Sequence, residues 1–136
     1  MVNTEWWLNK NYPKEQRKEV IKIENSGFRH HKNKQHWKKL QGHLNLADFI
    51  NLEELSCEWN NLTSFFLNNC SKLRIIRCYG NKLTNLSFVS QLPTETLTVL
   101  SVGKIHSLPP YELDVFSHLI NLEELYLEQD FLISFL

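Results

Sequence analysis

The chain has 136 residues, 42% of them hydrophobic and 22% charged, with a formal net charge of zero. That is the composition of one folded domain rather than a disordered segment, and it excludes global attraction to nucleic acid. The charge is unevenly spread: residues 1–39 hold ten Lys/Arg against four Asp/Glu, and residues 40–136 hold five against eleven.

The opening MVNTEWWLNK has no basic segment followed by an apolar run, so it does not read as a secretory signal. No apolar run approaches the length needed to span a bilayer, which predicts a cytoplasmic protein that does not enter membranes. TEWWLNKNY (4–12) reads as a short helix with Thr4 as its N-cap and Trp6, Trp7 and Leu8 as its apolar content. Pro13 opens a second helical segment over 14–19, since Pro is tolerated in a first turn. Residues 1–19 are thus expected to form a helical N-terminal cap; an exposed patch of paired tryptophans is the competing reading.

Val20–Asn25 alternates apolar and polar residues, as the strand half of a first, interrupted repeat spanning 20–51, with Leu40, Leu44 and Leu46 in its second half. Between them lies a basic insertion, 26–39, with Arg29, His30, His31, Lys32, Lys34, Lys38 and Lys39 beside His36, Phe28 and Trp37. As a solvated loop it needs no partner. As an anion or nucleic-acid contact it combines charge with rings that stack on bases. As a metal site its histidines lack zinc spacing and neighbouring Cys or carboxylate, so no metal or other cofactor is expected.

Self-similarity is clearest over Leu52–Leu86. Leu52, Leu55, Cys57, Asn60, Leu62 and Phe65 recur 21 residues later as Leu73, Ile76, Cys78, Asn81, Leu83 and Leu86. The period is L-x-x-L-x-C-x-x-N-x-L. Its apolar places predict a short strand facing a solenoid core. Its Asn places predict a ladder through Asn60 and Asn81, whose amides both donate and accept. Leu67–Lys72 is too short for a long helix and predicts a tight turn with 3₁₀ character. A fourth repeat begins at Leu97 and has lost a residue, with Lys104 where Asn belongs. Pro109-Pro110 follows as an extended loop, and 111–119 reads as a short helix. The fifth repeat runs Leu122, Leu125, Leu127, Asp130, Leu132, Phe135, with Asp130 in the ladder place. It ends without a polar cap, which predicts an open strand edge and either a piece of a longer chain or an end that pairs with another molecule, self-association included. Cys57 and Cys78 hold core places, and with Cys70 they are expected as free thiols. The sequons at Asn61 and Asn85 follow from the repeat pattern itself.

These repeats resemble the leucine-rich repeat superfamily, and more narrowly the small intracellular members expanded in some fungi. The resemblance rests on WLNKNYPKEQRKEVIKIEN, LNLADFINLEELSC, LNNCSKLRIIRCYGNKLTNLSF and LTVLSV. It implies an α/β solenoid forming one domain over 1–136, with four repeats in 52–136. The sheet on its concave face is short and parallel; loops, 3₁₀ turns and short helices form the convex face. It also implies protein binding and supplies no catalytic residues.

Counting outward-facing places gives the candidate partner-binding residues on the concave face: Glu54, Ser56, Glu58, Trp59, Arg77, Tyr79, Ser101, Glu124, Tyr126 and Glu128. Tyr, Trp and Arg are enriched in interface hot spots, and the flanking carboxylates suit a partner with apolar and basic groups. No phosphate-binding glycine motif or nucleophile elbow occurs, so the expectation is a non-catalytic protein-interaction module. Glu53-Glu54 and Glu123-Glu124 fall at equivalent repeat places, and adjacent strand residues are expected to diverge.

Overall fold

The structure, a computed structural model, describes residues 1–26, 39–103 and 114–127, and the backbone alone of 128 and 131–134. Readings that rest on 27–38, 104–113, 129–130 and 135–136 lie outside the described residues. These include most of the insertion, Lys104, Pro109-Pro110 and Asp130.

The chain is a parallel-sheet β-solenoid. After β1 (Val2–Asn3) and α1 (Thr4–Asn11) come a 3₁₀ segment at Lys14–Glu19, β2 (Lys22–Glu24) and β3 (Leu40–Asn45). Then follow β4 (Glu54–Ser56), β5 (Asn61–Phe66), β6 (Ile75–Arg77) and a second 3₁₀ segment at Ser87–Gln91. The chain closes with β7 (Val99–Ser101), β8 (Glu124–Glu128) and β9 (Phe131–Ser134). One sheet has the order β2-β4-β6-β7-β8-β9, parallel except for β9.

The registers place Ile23, Leu55, Ile76, Leu100 and Leu125 side by side in one buried inward row. Cys57, Cys78 and Val102 are buried on the same face, as are the repeat-opening Leu52, Leu73, Leu97 and Leu122. Short strands suffice because each leucine finds its counterpart in the next turn, and burial of each such side chain is worth about 1.5–3 kcal/mol.

The opposite face departs from expectation. Instead of loops, 3₁₀ turns and short helices throughout, its first two turns form a second parallel sheet, β1-β3-β5. Thr63, Phe65 and Phe66 favour extension, and Leu62 and Phe65 pack beside Leu40 and Leu44 in the core. Sheet formation stops after β5. There the Asn85 side chain accepts the Ser87 amide at 2.9 Å and bends the chain into 3₁₀ geometry, burying Phe88 and Val89. The outer edge of β5 is occupied by Gln91, whose Oε1 accepts the Leu67 amide at 2.7 Å and whose Nε2 donates to the Phe65 carbonyl at 3.4 Å. A side-chain amide thus takes the place of a neighbouring strand. In the last turn, 114–116 are 3₁₀.

At the N-terminus the helix forms, but Asn3 rather than Thr4 caps it, accepting the amides of Glu5 (2.8 Å) and Trp6 (3.2 Å). The Thr4 hydroxyl donates to the His43 carbonyl instead and ties α1 to β3. Leu8 is fully buried, Trp7 is partly buried and Trp6 is exposed. Arg17, only 3% exposed, donates to the Tyr12 carbonyl, to Asn9 Oδ1 and to Asp48 Oδ2.

After β8 the chain doubles back, and β9 pairs antiparallel with β8, so the edge strand at this end of the sheet is β9 rather than β8. The second half of the fifth repeat is therefore a hairpin arm, not a further turn. Leu67–Lys72 makes two successive tight turns, closed by Cys70 N–H to Leu67 O and Leu73 N–H to Cys70 O. All three cysteines are free and buried, and burial pushes the Cys70 thiol up to about 12.

Candidate functional site

Outward side chains of the five parallel strands form a grid. The registers put Lys22, Glu54, Ile75, Val99 and Glu124 in one row, and Glu24, Ser56, Arg77, Ser101 and Tyr126 in the next. A third row, just past the short strands, continues with Ser26, Glu58, Tyr79 and Gly103. Lys22, Glu24 and Ser26 were not among the residues expected here. Aligning Ile23 with Leu55 in the sequence places all three, because the first strand keeps the repeat's alternation.

The charges are matched at one end of the face. Glu54 meets Lys22 at 3.6 Å and Arg74 at 3.5 Å, Glu24 meets Lys22 at 3.8 Å, and Glu53 meets Arg74 at 3.2 Å. Glu53 and Glu54 therefore do converge, on one guanidinium. Glu53 precedes the strand, where strict alternation has not yet begun. At the other end Glu124 has no ion pair among the described residues, and the Arg77 side chain makes neither an ion pair nor a hydrogen bond among them. Tyr126 Oη lies 3.4 Å from Glu124 Oε2.

Ser56 and Ser101 are buried, flanking Arg77 in register. Glu58 is 7% exposed and shares a hydrogen bond with the Ser26 side chain, while its Oε2 has no partner among the described residues. Burial pushes its carboxyl up and Glu24 adds to this; a backbone hydrogen bond, Arg77 and Ser26 oppose the shift.

Trp59 stands at the C-terminal end of this face rather than in its middle. Its φ of +59° turns the ring over Gly80, and it meets Tyr79 edge-on at 5.8 Å between centroids. A Cβ on Gly80 would lie 2.6 Å from Trp59 Cε3, so glycine is required for the ring to sit there. Burial raises the Tyr79 hydroxyl, and Glu58 adds to this while Arg77 opposes it. Glu128 belongs to β8; its side chain lies outside the described residues, as do Arg29, His30, His31, Lys32, Lys34 and Lys38. Lys39 is half-buried, and its carbonyl accepts the Val2 amide at 2.9 Å. No metal-binding cluster occurs among the described residues, and no helix among them is long and apolar enough to cross a membrane.

The expected ladder is present beneath the site. Asn60 is fully buried; its Oδ1 accepts the Leu40 amide at 2.9 Å, and its Nδ2 donates to the carbonyls of Asn25 (2.7 Å) and Cys57 (2.9 Å). Asn81 repeats the pattern one turn on, accepting from Leu62 at 2.9 Å and donating to Cys57 (3.0 Å) and Cys78 (2.8 Å). Comparison with known proteins gives no match, neither to a family model nor to a curated protein nor to a solved structure.

Proposed function

We propose that this chain is a leucine-rich-repeat-type module, capped by α1 and without catalytic activity, that binds a protein partner through the outward face of β2, β4, β6, β7 and β8. The observation that carries the reading is the face itself: aligned rows that place Ile75, Val99, Arg77, Tyr79 and Tyr126 together on a rigid parallel sheet. Aromatic and guanidinium groups on a firm scaffold are efficient contact residues, since little freedom remains to be lost on binding. The 21-residue period and the Asn60/Asn81 ladder support the repeat assignment.

Five strands about 4.8 Å apart span only about 20 Å. A standard interface covers about 800 Å² per partner, so a face this small suits a short segment or a transient contact. The test is capture of proteins from a cell extract by the intact chain, against an Arg77→Ala/Tyr126→Ala variant whose melting temperature is unchanged. Loss of the captured set supports the reading. An unchanged set, or capture that collapses with salt and nuclease, moves the activity to the basic insertion.

A further inference from the structure

Side-chain size, rather than backbone depth, shapes this face. The neighbours of β7 present Ile75, Arg77 and Tyr79 on β6, and Glu124 and Tyr126 on β8. β7 and the residues after it present Val99, Ser101 and Gly103, of which Ser101 is 6% exposed and Gly103 has no side chain. A Cβ on Gly103 would lie 2.7 Å from Tyr79 Cβ, so the floor at that end is held low. The result is a trough along β7 with an aromatic residue in each wall.

The walls differ in charge. Arg77 stands on one and Glu124 on the other, each without an ion pair among the described residues. No ion pair joins them among the described residues: β6 and β8 are two strand spacings, about 9.6 Å, apart and the two residues lie in different rows. Glu58 acts on Arg77 from the β4 side, away from the trough. Elsewhere on the face Lys22, Glu24, Glu54 and Arg74 are already paired.

We propose that the trough over β7 seats a single extended segment of a protein partner, with an acidic side chain toward Arg77 and a basic side chain toward Glu124. An extended backbone occupies about one strand spacing, and its successive side chains point to opposite sides. An acidic residue and a basic residue adjacent in sequence would therefore meet opposite walls. Val99 and Ile75 supply apolar surface beside them. The proposal rests on the interaction reading above and adds to it the place on the face and the charge pattern of the ligand.

The experiment uses the intact chain and capped octapeptides on one Val/Thr/Ala frame, with Glu-Lys, Lys-Glu, Glu-Glu, Lys-Lys or Ala-Ala at the centre. A mixed-charge pair in at least one order should bind about five- to tenfold more tightly than Ala-Ala at low salt. Arg77→Glu should transfer the preference to Lys-Lys, and Glu124→Lys should transfer it to Glu-Glu. Because two independent reversals and Arg77→Gln are compared at matched melting temperature, a folding defect in one variant does not decide the outcome. Equal binding of all five peptides, or a mixed-charge preference that survives both reversals, overturns the proposal. If Tyr79→Ala/Tyr126→Ala abolishes binding while charge makes no difference, the interaction reading stands and this one fails. If no captured protein or peptide depends on the face, both fail.

Discussion

At the residue scale, the polar groups that matter are those facing inward or trapped between turns. Asn60 bonds four backbone groups from a fully buried position. Asn60→Ala should therefore cost about 3 kcal/mol or more, and Asn81→Ala less, because Asn81 is half-buried; urea unfolding would compare the two. Gly80→Ala forces a Cβ into the Trp59 ring at a φ of +75°. A loss of about 2 kcal/mol is expected. Adding Trp59→Ala should recover only part of it, since the backbone cost remains. Glu58 has the opposite sign from most acids. Its folded pKa is raised above the ordinary 4.5, mainly by burial, so the folded state holds its proton more tightly than the unfolded state does. The fold is least burdened by Glu58 below that value and loses stability as pH rises through the raised one. Glu58→Gln should raise the melting temperature at pH 7, and the gain should disappear below about pH 4.

At the scale of elements, contacts from outside a segment decided its form. The pattern Leu40-x-x-x-Leu44 announced burial, yet nothing local announced that β3 and β5 would pair into a second sheet. The equivalent stretch of the next repeat bends at Asn85 instead. The N-terminal elements depend on Arg17, whose guanidinium joins Tyr12, Asn9 and Asp48 and lies 5.5 Å from the Phe49 ring centroid. A lysine cannot make three such bonds in one plane. Arg17→Lys should cost about 2 kcal/mol in thermal or urea unfolding, with exchange of the α1 amides accelerated first.

At the scale of the whole molecule, each turn of the solenoid supports the next, and stability is shared between neighbours. Cys57, Cys70 and Cys78 report on this directly, because all three are buried. A thiol reagent should find almost none of them reactive in the native chain and all three in denaturant. Deleting residues 1–19 removes Tyr12 from beside Phe49 and Leu8 from the core it shares with Leu40 and Leu44 of the strand against which α1 packs. That variant should bind a hydrophobic dye, and its thiols should react at denaturant concentrations that leave the intact chain protected.

The sequence by itself determined the inward rows, since Leu52, Leu55, Cys57 and their counterparts 21 residues on are apolar at fixed places. It likewise determined the Asn60 and Asn81 ladder, because a repeated amide beside a buried turn has few other uses. Most of the outward grid followed from alternation, and Lys22, Glu24 and Ser26 would have followed from extending it one strand. The tertiary structure alone decided which outward charges are spent and which are left. Glu54 is neutralised by residues 32 positions earlier and 20 later, whereas Arg77 and Glu124, two strands apart and in different rows, have no ion pair among the described residues. It also decided that β9 returns along β8, and that Trp59 turns back over Gly80. The physical reason is the same in each case. Alternation assigns a side chain to a face, but ion pairing, ring stacking and edge pairing depend on distances between turns, which no single repeat encodes.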